Sequence, residues 1–261
     1  MTLTREPCGN AFTAAIAALG RTLKVIVLAA LGLPRLVAQR DSRRAFAQQL
    51  WLVGIGSLPV ATVVALFTGM ILGLQLGIAF KRLSQELMVA STLAYAMLRE
   101  MGPFMTGIIL ASSVGSSMAA QLGTMKVNEE VAALEMMSID PIRFLVTPRL
   151  WAMALMAPLL SFYTSILAFF GGALVGYTQL NIPFLQFMNE VLSACEIKDL
   201  YVGLFKALFF GFLITGISCT VGFATTQGAA GVGASTRRAV IISFLAILIG
   251  GYFITRFCYV F

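Results

Sequence analysis

Histidine is absent from the 261-residue chain. Its absence excludes Ser/His/Asp and Cys/His catalytic sets, imidazole metal ligands and imidazole proton relays. The four cysteines are spread through apolar sequence without a C-x-x-C spacing, which is typical of small buried side chains rather than of a metal site or a redox dithiol. The sequence therefore predicts no enzyme activity of its own, no cofactor and no metal centre.

Charged residues are also scarce, at 11% of the chain against 59% hydrophobic residues. A soluble domain carries about 25% charged and about 45–50% apolar residues, so this chain cannot coat a water-facing surface. The composition predicts an integral membrane protein. Basic residues in membrane-flanking loops account for the net charge of +7 more simply than a nucleic-acid surface does.

Five apolar stretches are long enough to cross the hydrocarbon core, which takes about 20 residues. They cover residues 51–80, 87–121, 150–177, 200–226 and 239–261, and a Gly-rich turn at 227–238 precedes the last of them. The predicted fold class is therefore an all-α integral membrane protein with five transmembrane helices. These helices and their connections form one domain, residues 49–261.

Residues 1–48 form a separate N-terminal segment. Apolar side chains recur in it at three- or four-residue spacing, while Arg21 and Lys24 share the opposite side. This pattern predicts an interfacial amphipathic helix lying on anionic lipid, followed by a basic juxtamembrane stretch. The apolar positions are Phe12, Ile16, Leu19, Leu23 and Ile26 or Val27.

Basic residues outside the spans differ strongly in number between the two sides. With a cytoplasmic N-terminus, twelve lie on the inner side and four on the outer side, so the positive-inside rule predicts an N-in, C-out orientation. The inner residues are Arg5, Arg21, Lys24, Arg35, Arg40, Arg43, Arg44, Lys126, Arg143, Arg149, Arg237 and Arg238, and the outer residues are Lys81, Arg82, Lys198 and Arg256.

Two connecting segments carry helical patterns. In the long inner segment, apolar side chains alternate with acidic ones, which predicts a short amphipathic helix within about 124–140, ending before Pro141. This helix either is a solvated loop helix or docks in a groove of a cytoplasmic partner. The outer segment carries an apolar stripe that predicts an interfacial helix at about 183–196.

The first span carries Gly69, Gly73 and Gly77 at four-residue spacing. Small residues at this spacing lie on one helix face and let a second helix approach closely in lipid, so we predict a packing face there. Pro59 and the length of the stretch predict that the span tilts, bends or extends beyond the bilayer.

The second span contains Arg99 and Glu100, directly before Gly102 and Pro103. An ion pair inside a span is costly and by default marks a functional site facing protein or a water-filled cavity. The alternative places both residues at the outer edge of the bilayer. Lys206, about six residues into the fourth span, either snorkels to the outer interface or faces the same cavity as Glu100.

Nucleotide binding is not expected, because the Gly-rich residues 228–236 lack the lysine of a phosphate-binding loop. An ATPase that powers the protein must then be a separate chain. The intramembrane charges also suit an ion- or proton-coupled secondary transporter, although the inverted repeats expected there are not found. A non-transporting membrane anchor is a third alternative.

Several motifs, in the same order along the chain, resemble the signature of the MlaE-type permeases. These are the membrane subunits of the Mla lipid-transport ABC system. The resemblance extends from about residue 45 to the end. Its motifs are GMILGLQ at 69–75, LREMGP at 98–103, LGTMKVNEEVAALEMMSIDP at 122–141, and Pro148-Arg149.

The resemblance implies a homodimer of phospholipid permease subunits in the bacterial inner membrane, moving lipid between that membrane and the periplasmic or outer-membrane side. A cytoplasmic ABC ATPase would bind the coupling helix at about 124–140, and an MCE-domain protein would bind on the periplasmic side. The resemblance also leaves room for a small STAS-type cytoplasmic subunit.

Site residues follow from the resemblance by position in this sequence. The lipid pocket or translocation path would include Leu72, Leu74, Gln75, Arg99, Glu100 and Lys206. Coupling to the ATPase would involve Glu129, Glu130, Leu134, Glu135 and Asp140. The chain departs from the family pattern at Ser113, Gln121 and Gly251, where an arginine, a glutamate and an aspartate are common.

Overall fold

The computed structural model describes residues 20–32, 40–83 and 85–260. Within these ranges the secondary structure is helical, with no strand. Five helical segments are long and apolar enough to cross a membrane, and we number them spans 1 to 5: Arg43–Lys81, Met88–Val127, Ile142–Leu180, Ile197–Phe223 and Gly228–Tyr259. The predicted all-α, five-span fold is confirmed, while the N-in, C-out orientation stays a prediction.

The described helices are α1 (residues 20–30), α2 (Arg40–Gly54), α3 (Leu58–Lys81), α4 (Met88–Ala96), α5 (Gly102–Leu110), α6 (Ser116–Val127), α7 (Glu130–Met136), α8 (Thr147–Leu180), α9 (Phe184–Ala194), α10 (Ile197–Phe223) and α11 (Gly228–Val260). A 3₁₀ turn at Ile55–Ser57 separates α2 from α3, directly before Pro59, so span 1 is interrupted where the proline predicts a bend. Span 2 contains two π-helical turns, at Met97–Met101 and Ala111–Gly115, and a third, Ile142–Val146, opens span 3.

The two ends of the bundle are distinguished by their short helices. We call the end that carries α1 and α7 the proximal end, and the end that carries α9 the distal end. Under the predicted orientation the proximal end is cytoplasmic.

Spans 2, 3 and 4 form the centre of the bundle. In each of these three spans, at least half of the most apolar 18-residue stretch is buried inside the molecule. The corresponding share is 22% in span 1 and 17% in span 5. Spans 1 and 5 therefore leave most of their apolar surface to lipid or to other chains.

Span 1 packs on span 3 through glycines. A side chain at Gly69 would overlap the backbone of Ala168, and one at Gly73 would lie 3.1 Å from the Cα of Gly172. Glycine at these positions thus lets the two backbones approach closely, as expected of small residues four apart. The opposite side of span 1 presents an exposed apolar stripe of Val60, Val63, Phe67, Ile71 and Ile78.

Helix α1 is the described part of the predicted interfacial helix, whose residues 1–19 lie outside the described ranges. Val25 and Ala29 are buried, and Ile26 faces Gly216 of span 4. Leu23 and Val27, two of the predicted apolar positions, are 64% and 48% exposed. One side of α1 therefore packs on the bundle, and a second apolar side is left for lipid.

Three predicted boundaries differ from the structure. The division between residues 48 and 49 falls inside α2, because the helix begins in polar sequence and continues without a break into the apolar run. Span 5 begins at Gly228, because nearly all of the Gly-rich segment 227–238, expected to be a turn, is helical. The helix predicted over about 124–140 is the shorter α7, because a left-handed residue, Glu129 with φ 61°, separates it from span 2. The outer helix α9 lies within its predicted range.

Candidate functional site

A π-helical turn at Met97–Met101 presents Arg99 and Glu100 near the distal end of span 2. Pro103 has no N–H to donate to the carbonyl of Arg99, four residues earlier. That carbonyl instead accepts a hydrogen bond of 2.8 Å from Lys206 Nζ. Gly203 allows this approach of span 4, because a side chain there would overlap the backbone carbonyl of Leu98.

Lys206 is fully buried, with 0% of its surface exposed. Its ammonium lies 2.8 Å from Glu100 Oε1 and 2.7 Å from Thr255 Oγ1, in addition to the Arg99 carbonyl. These three contacts match the three N–H donors of an ammonium group. Lys206 therefore does not snorkel. It faces Glu100, which was the alternative open from the sequence.

Thr255 of span 5 completes this group. Its hydroxyl lies 2.5 Å from Glu100 Oε1 and 2.9 Å from the Gly251 carbonyl. We call Glu100, Lys206 and Thr255 the distal triad. It joins spans 2, 4 and 5 by polar contacts at one level of the bundle.

Arg99 forms a second ion pair, with Asp199 of span 4. Its Nε lies 2.8 Å from Asp199 Oδ1, and its guanidinium lies between the rings of Tyr95 and Tyr259, 4.7 Å from each centroid. The Tyr259 hydroxyl donates to the same carboxylate oxygen at 2.7 Å. The adjacent charges of span 2 thus do not pair with each other, as the sequence suggested, but each takes an opposite charge from span 4.

Three members of the two distal groups were missed from the sequence: Asp199, Tyr259 and Thr255. Asp199 lies just outside the predicted fourth span, residues 200–226, yet it is fully buried in the first turn of α10. Its spacing of seven residues from Lys206, two helical turns, was the available signal. Nearby, burial and the charge of Asp199 raise the pKa of the Cys195 thiol, which keeps it protonated at neutral pH.

A cavity of about 400 Å³ extends from the distal triad between spans 2, 4 and 5. Apart from the triad, its lining is apolar or aromatic: Met101, Phe104, Phe210, Ile247, Leu248, Gly251 and Tyr252. Gly251, where the family pattern has an acid, is part of this wall. The cavity is therefore polar at one place and apolar over the rest of its surface.

The remaining predicted pocket residues lie on span 1. Leu72 packs against the core around Phe187, whereas Leu74 and Gln75 are exposed. Leu74 lines a separate groove of about 120 Å³ between spans 1 and 3. Within one chain the structure therefore does not bring Leu72, Leu74 and Gln75 together with the distal triad.

At the proximal end, the predicted coupling residues lie on and around α7. Glu129, Glu130 and Glu135 are exposed, and Leu134 is half-buried. Asp140 accepts a hydrogen bond of 3.0 Å from the Ile142 N–H, and so fixes the start of the next helical turn.

Two methionines that the sequence analysis did not single out stand beside these acids. Met136 and Met137 are 82% and 70% exposed. Their position in the sequence, directly after Glu135, was the only signal. Flexible, exposed apolar side chains therefore lie among carboxylates at this end of the bundle.

A third charged site lies deeper at the proximal end. Arg149 of span 3 is 7% exposed, and its Nη2 donates a hydrogen bond of 3.0 Å to Gln121 Oε1 of span 2. No carboxylate among the described residues pairs with it. Gln121 is the position where the resemblance implies a glutamate, and this buried cation has a neutral partner in this chain.

Comparison with known proteins identifies the family of this chain. The family model described as "Permease MlaE" matches residues 46–257. The chain belongs to the MlaE permease family. It is 40% identical over 209 residues to the "Probable ABC transporter permease protein" of Rickettsia typhi, covering 80% of this chain and 81% of that protein.

Two further relatives have more specific names. The "Intermembrane phospholipid transport system permease protein MlaE" of Haemophilus influenzae is 31% identical over 232 residues, 88% of each chain. The chloroplastic "Protein TRIGALACTOSYLDIACYLGLYCEROL 1" of Arabidopsis thaliana is 34% identical over 237 residues, 91% of this chain and 68% of that protein. As a member of the family, the chain is a multi-pass permease subunit.

Proposed function

We propose that this permease subunit moves phospholipids between the bacterial inner membrane and the periplasmic or outer-membrane side, powered by a separate ABC ATPase. The cavity beside the distal triad is the observation that carries the proposal. It joins one polar cluster to a wall of apolar side chains, which is the amphiphilic pattern of a phospholipid. The names of the Haemophilus and Arabidopsis relatives support the same substrate class.

The polar and apolar parts of the cavity would hold different parts of the lipid. Transfer of an acyl chain to water costs a free energy of about 0.8 kcal/mol per CH₂ group. The chain therefore needs apolar walls such as Phe104, Phe210 and Leu248. The headgroup would meet Glu100, whose side chain is 41% exposed, and Lys206 behind it. Arg99, 34% exposed, offers a second cation at the same level.

The exposed stripe of span 1 supports a homodimer. Two copies meeting along this stripe would bury apolar side chains and bring Leu74 and Gln75 of both copies toward a shared lipid path, while Leu72 stays in the core around Phe187. An MCE-domain protein at the distal end would continue that path away from the membrane. A small STAS-type subunit could join at the proximal end.

Coupling to ATP hydrolysis would begin at α7. Its exposed acids and Met136 and Met137 offer a mixed acidic and apolar surface to the ATPase. Because α7 follows span 2 after two residues, a displacement of α7 would be passed along span 2 to Arg99 and Glu100. Closure of the ATPase would thereby change the cavity at the other end.

The experiment is a lipid-transfer assay with the tagged chain purified from membranes together with its bound proteins and lipids. We expect a soluble ATPase and phospholipid to copurify, and Lys206→Met to reduce ATP-dependent transfer by about tenfold through loss of its charged contacts. Arg256→Met, an exposed cation one residue from the triad, is the matched control and should transfer lipid normally. Equal transfer by the two variants, or copurification without an ATPase, would contradict the proposal.

Coupling is tested separately by Glu130→Lys combined with Glu135→Lys. This variant should lose ATPase binding, whereas Glu190→Lys at the distal end should keep the ATPase bound. An intact complex with normal transfer would remove α7 from the coupling path.

A further inference from the structure

A second cavity, of about 430 Å³, lies at the proximal end of the bundle, whereas the distal triad lies near the other end. Four elements meet around it: α1, the last turn of span 2, α7 with the residues that follow it, and the end of span 4. Its volume falls within the range of about 300–1,000 Å³ typical of small-molecule sites. The transport path described above does not use it.

Charges of both signs line this proximal cavity. Arg21 and Lys24 come from α1, three residues apart and therefore on one helix face, and Lys126 comes from span 2. Glu135 and Asp140 contribute carboxylates from α7 and the segment after it. Cations and carboxylates thus reach the same space from different elements.

Three of these side chains are available to bind a ligand. Lys24, Lys126 and Glu135 make no hydrogen bond or ion pair with the residues that the structure describes. Asp140 differs, since it already pairs with Arg143 at 3.3 Å and accepts a backbone hydrogen bond. A ligand in the cavity would therefore find two cations and one carboxylate ready to pair.

The position of the cavity indicates what kind of ligand reaches it. Spans 2 and 4 end beside the cavity, at Val127 and Phe223, and α1, the predicted interfacial helix, forms another of its walls. Under the predicted orientation the cavity therefore opens toward the cytoplasmic membrane surface. Between the charged groups the wall is apolar, with Val25, Val131 and Ile142. Basic pockets between membrane helices on the cytoplasmic side bind the phosphates of anionic lipid headgroups. The carboxylate of Glu135 among the cations here also fits a positively charged group on the same headgroup.

We propose that the proximal cavity binds the headgroup of a phospholipid that carries both a phosphate and a primary ammonium group, as phosphatidylethanolamine does. The phosphate pairs with Lys24 and Lys126, and the ammonium donates to Glu135. The glycerol and the first acyl carbons contact Val25 and Ile142. A lipid bound in this way contacts α1 and α7 together, and so holds the interfacial helix against the predicted coupling helix.

The test is native mass spectrometry of the purified full-length chain, titrated with dioleoyl phosphatidylethanolamine and dioleoyl phosphatidylglycerol. Lys24→Ala combined with Lys126→Ala should weaken binding of both lipids by about tenfold or more, because both offer a phosphate. Glu135→Gln should weaken phosphatidylethanolamine alone, by about tenfold, because phosphatidylglycerol has no ammonium group. Lys81→Ala combined with Arg82→Ala, at the distal end, is the matched control.

Each variant is also measured in a Lys206→Met background, in which lipid binding at the distal triad should be weakened if the proposed function holds. The losses should persist there, so this proposal can stand or fall independently of the transport proposal. Unchanged selectivity in Glu135→Gln would overturn it, even if the double lysine variant failed to fold. Loss of a copurifying protein without loss of lipid would assign the cavity to a protein partner and would also overturn it.

Discussion

The distal triad and the Arg149 site place buried cations in different environments. Lys206 and Arg149 are 0% and 7% exposed, so neither can be solvated by water. Lys206 has a carboxylate at 2.8 Å and two further oxygen acceptors. Arg149 has one amide oxygen at 3.0 Å, and its Nη1 has no hydrogen-bond partner among the described residues.

This difference shows what each end of the bundle requires. A buried cation with a full set of opposite charge and acceptors is fixed in place, and it fixes the helices that supply its partners. A buried cation with a single neutral partner stabilises the folded state less, because its desolvation is only partly offset. The buried charges of the distal end are therefore paired with opposite charges, whereas Arg149 leaves an unpaired positive charge between spans 2 and 3 at the proximal end.

The largest expected effect is that of Glu100→Gln. It leaves the Lys206 ammonium buried beside neutral acceptors only, and breaking a buried pair in this way costs about 3 kcal/mol or more. Lys206→Met should cost less, since the remaining Glu100 is 41% exposed and can be solvated. The midpoint of unfolding in mixed detergent micelles measures both.

The double variant Glu100→Gln with Lys206→Met separates pairing from packing. It should recover most of the loss seen in Glu100→Gln, because no uncompensated charge remains. The exposed Glu130→Gln is the control and should leave the midpoint unchanged. A double variant no more stable than Glu100→Gln would mean that the triad acts through packing rather than through charge.

Asp199→Asn should have an intermediate effect, of about 1–2 kcal/mol. Arg99 would lose its opposite charge but is 34% exposed and keeps the Tyr95 and Tyr259 rings, so water and the aromatic faces compensate in part. The same unfolding midpoint measures this loss. A loss larger than that of Glu100→Gln would contradict the ranking of the two distal ion pairs by exposure.

The spans could be predicted from the sequence because each is a long apolar run. The length and composition of such a run are enough to indicate a membrane-spanning helix, without knowledge of its neighbours. It also identified Arg99, Glu100 and Lys206, since charges inside apolar runs are rare enough to be conspicuous. Their partners could not be assigned in the same way. Asp199 and Thr255 are brought to span 2 only by tertiary packing, and Thr255 carries no charge that would single it out in the sequence.

The proximal end was predicted less completely for a related reason. The helix around α7 was expected from its alternating pattern, but its length depends on one left-handed residue, Glu129, which the pattern does not reveal. The sequence showed that Gln121 stands where the resemblance implies a glutamate. It did not show the consequence for Arg149, because only the folded structure places Arg149 of the neighbouring span beside Gln121.

Gln121→Glu is the smallest of the expected stability changes and the only stabilising one. A carboxylate at this position would give Arg149 its missing opposite charge, and a charge-assisted hydrogen bond exceeds a neutral one by about 1 kcal/mol. Gln121 is itself exposed, so introducing the negative charge requires little desolvation. The unfolding midpoint should rise in Gln121→Glu and stay unchanged in the exposed control Gln85→Glu. If Gln121→Glu instead lowers the midpoint, Arg149 is adequately satisfied by an amide, and the two ends of the bundle do not differ in charge balance in the way the contacts indicate.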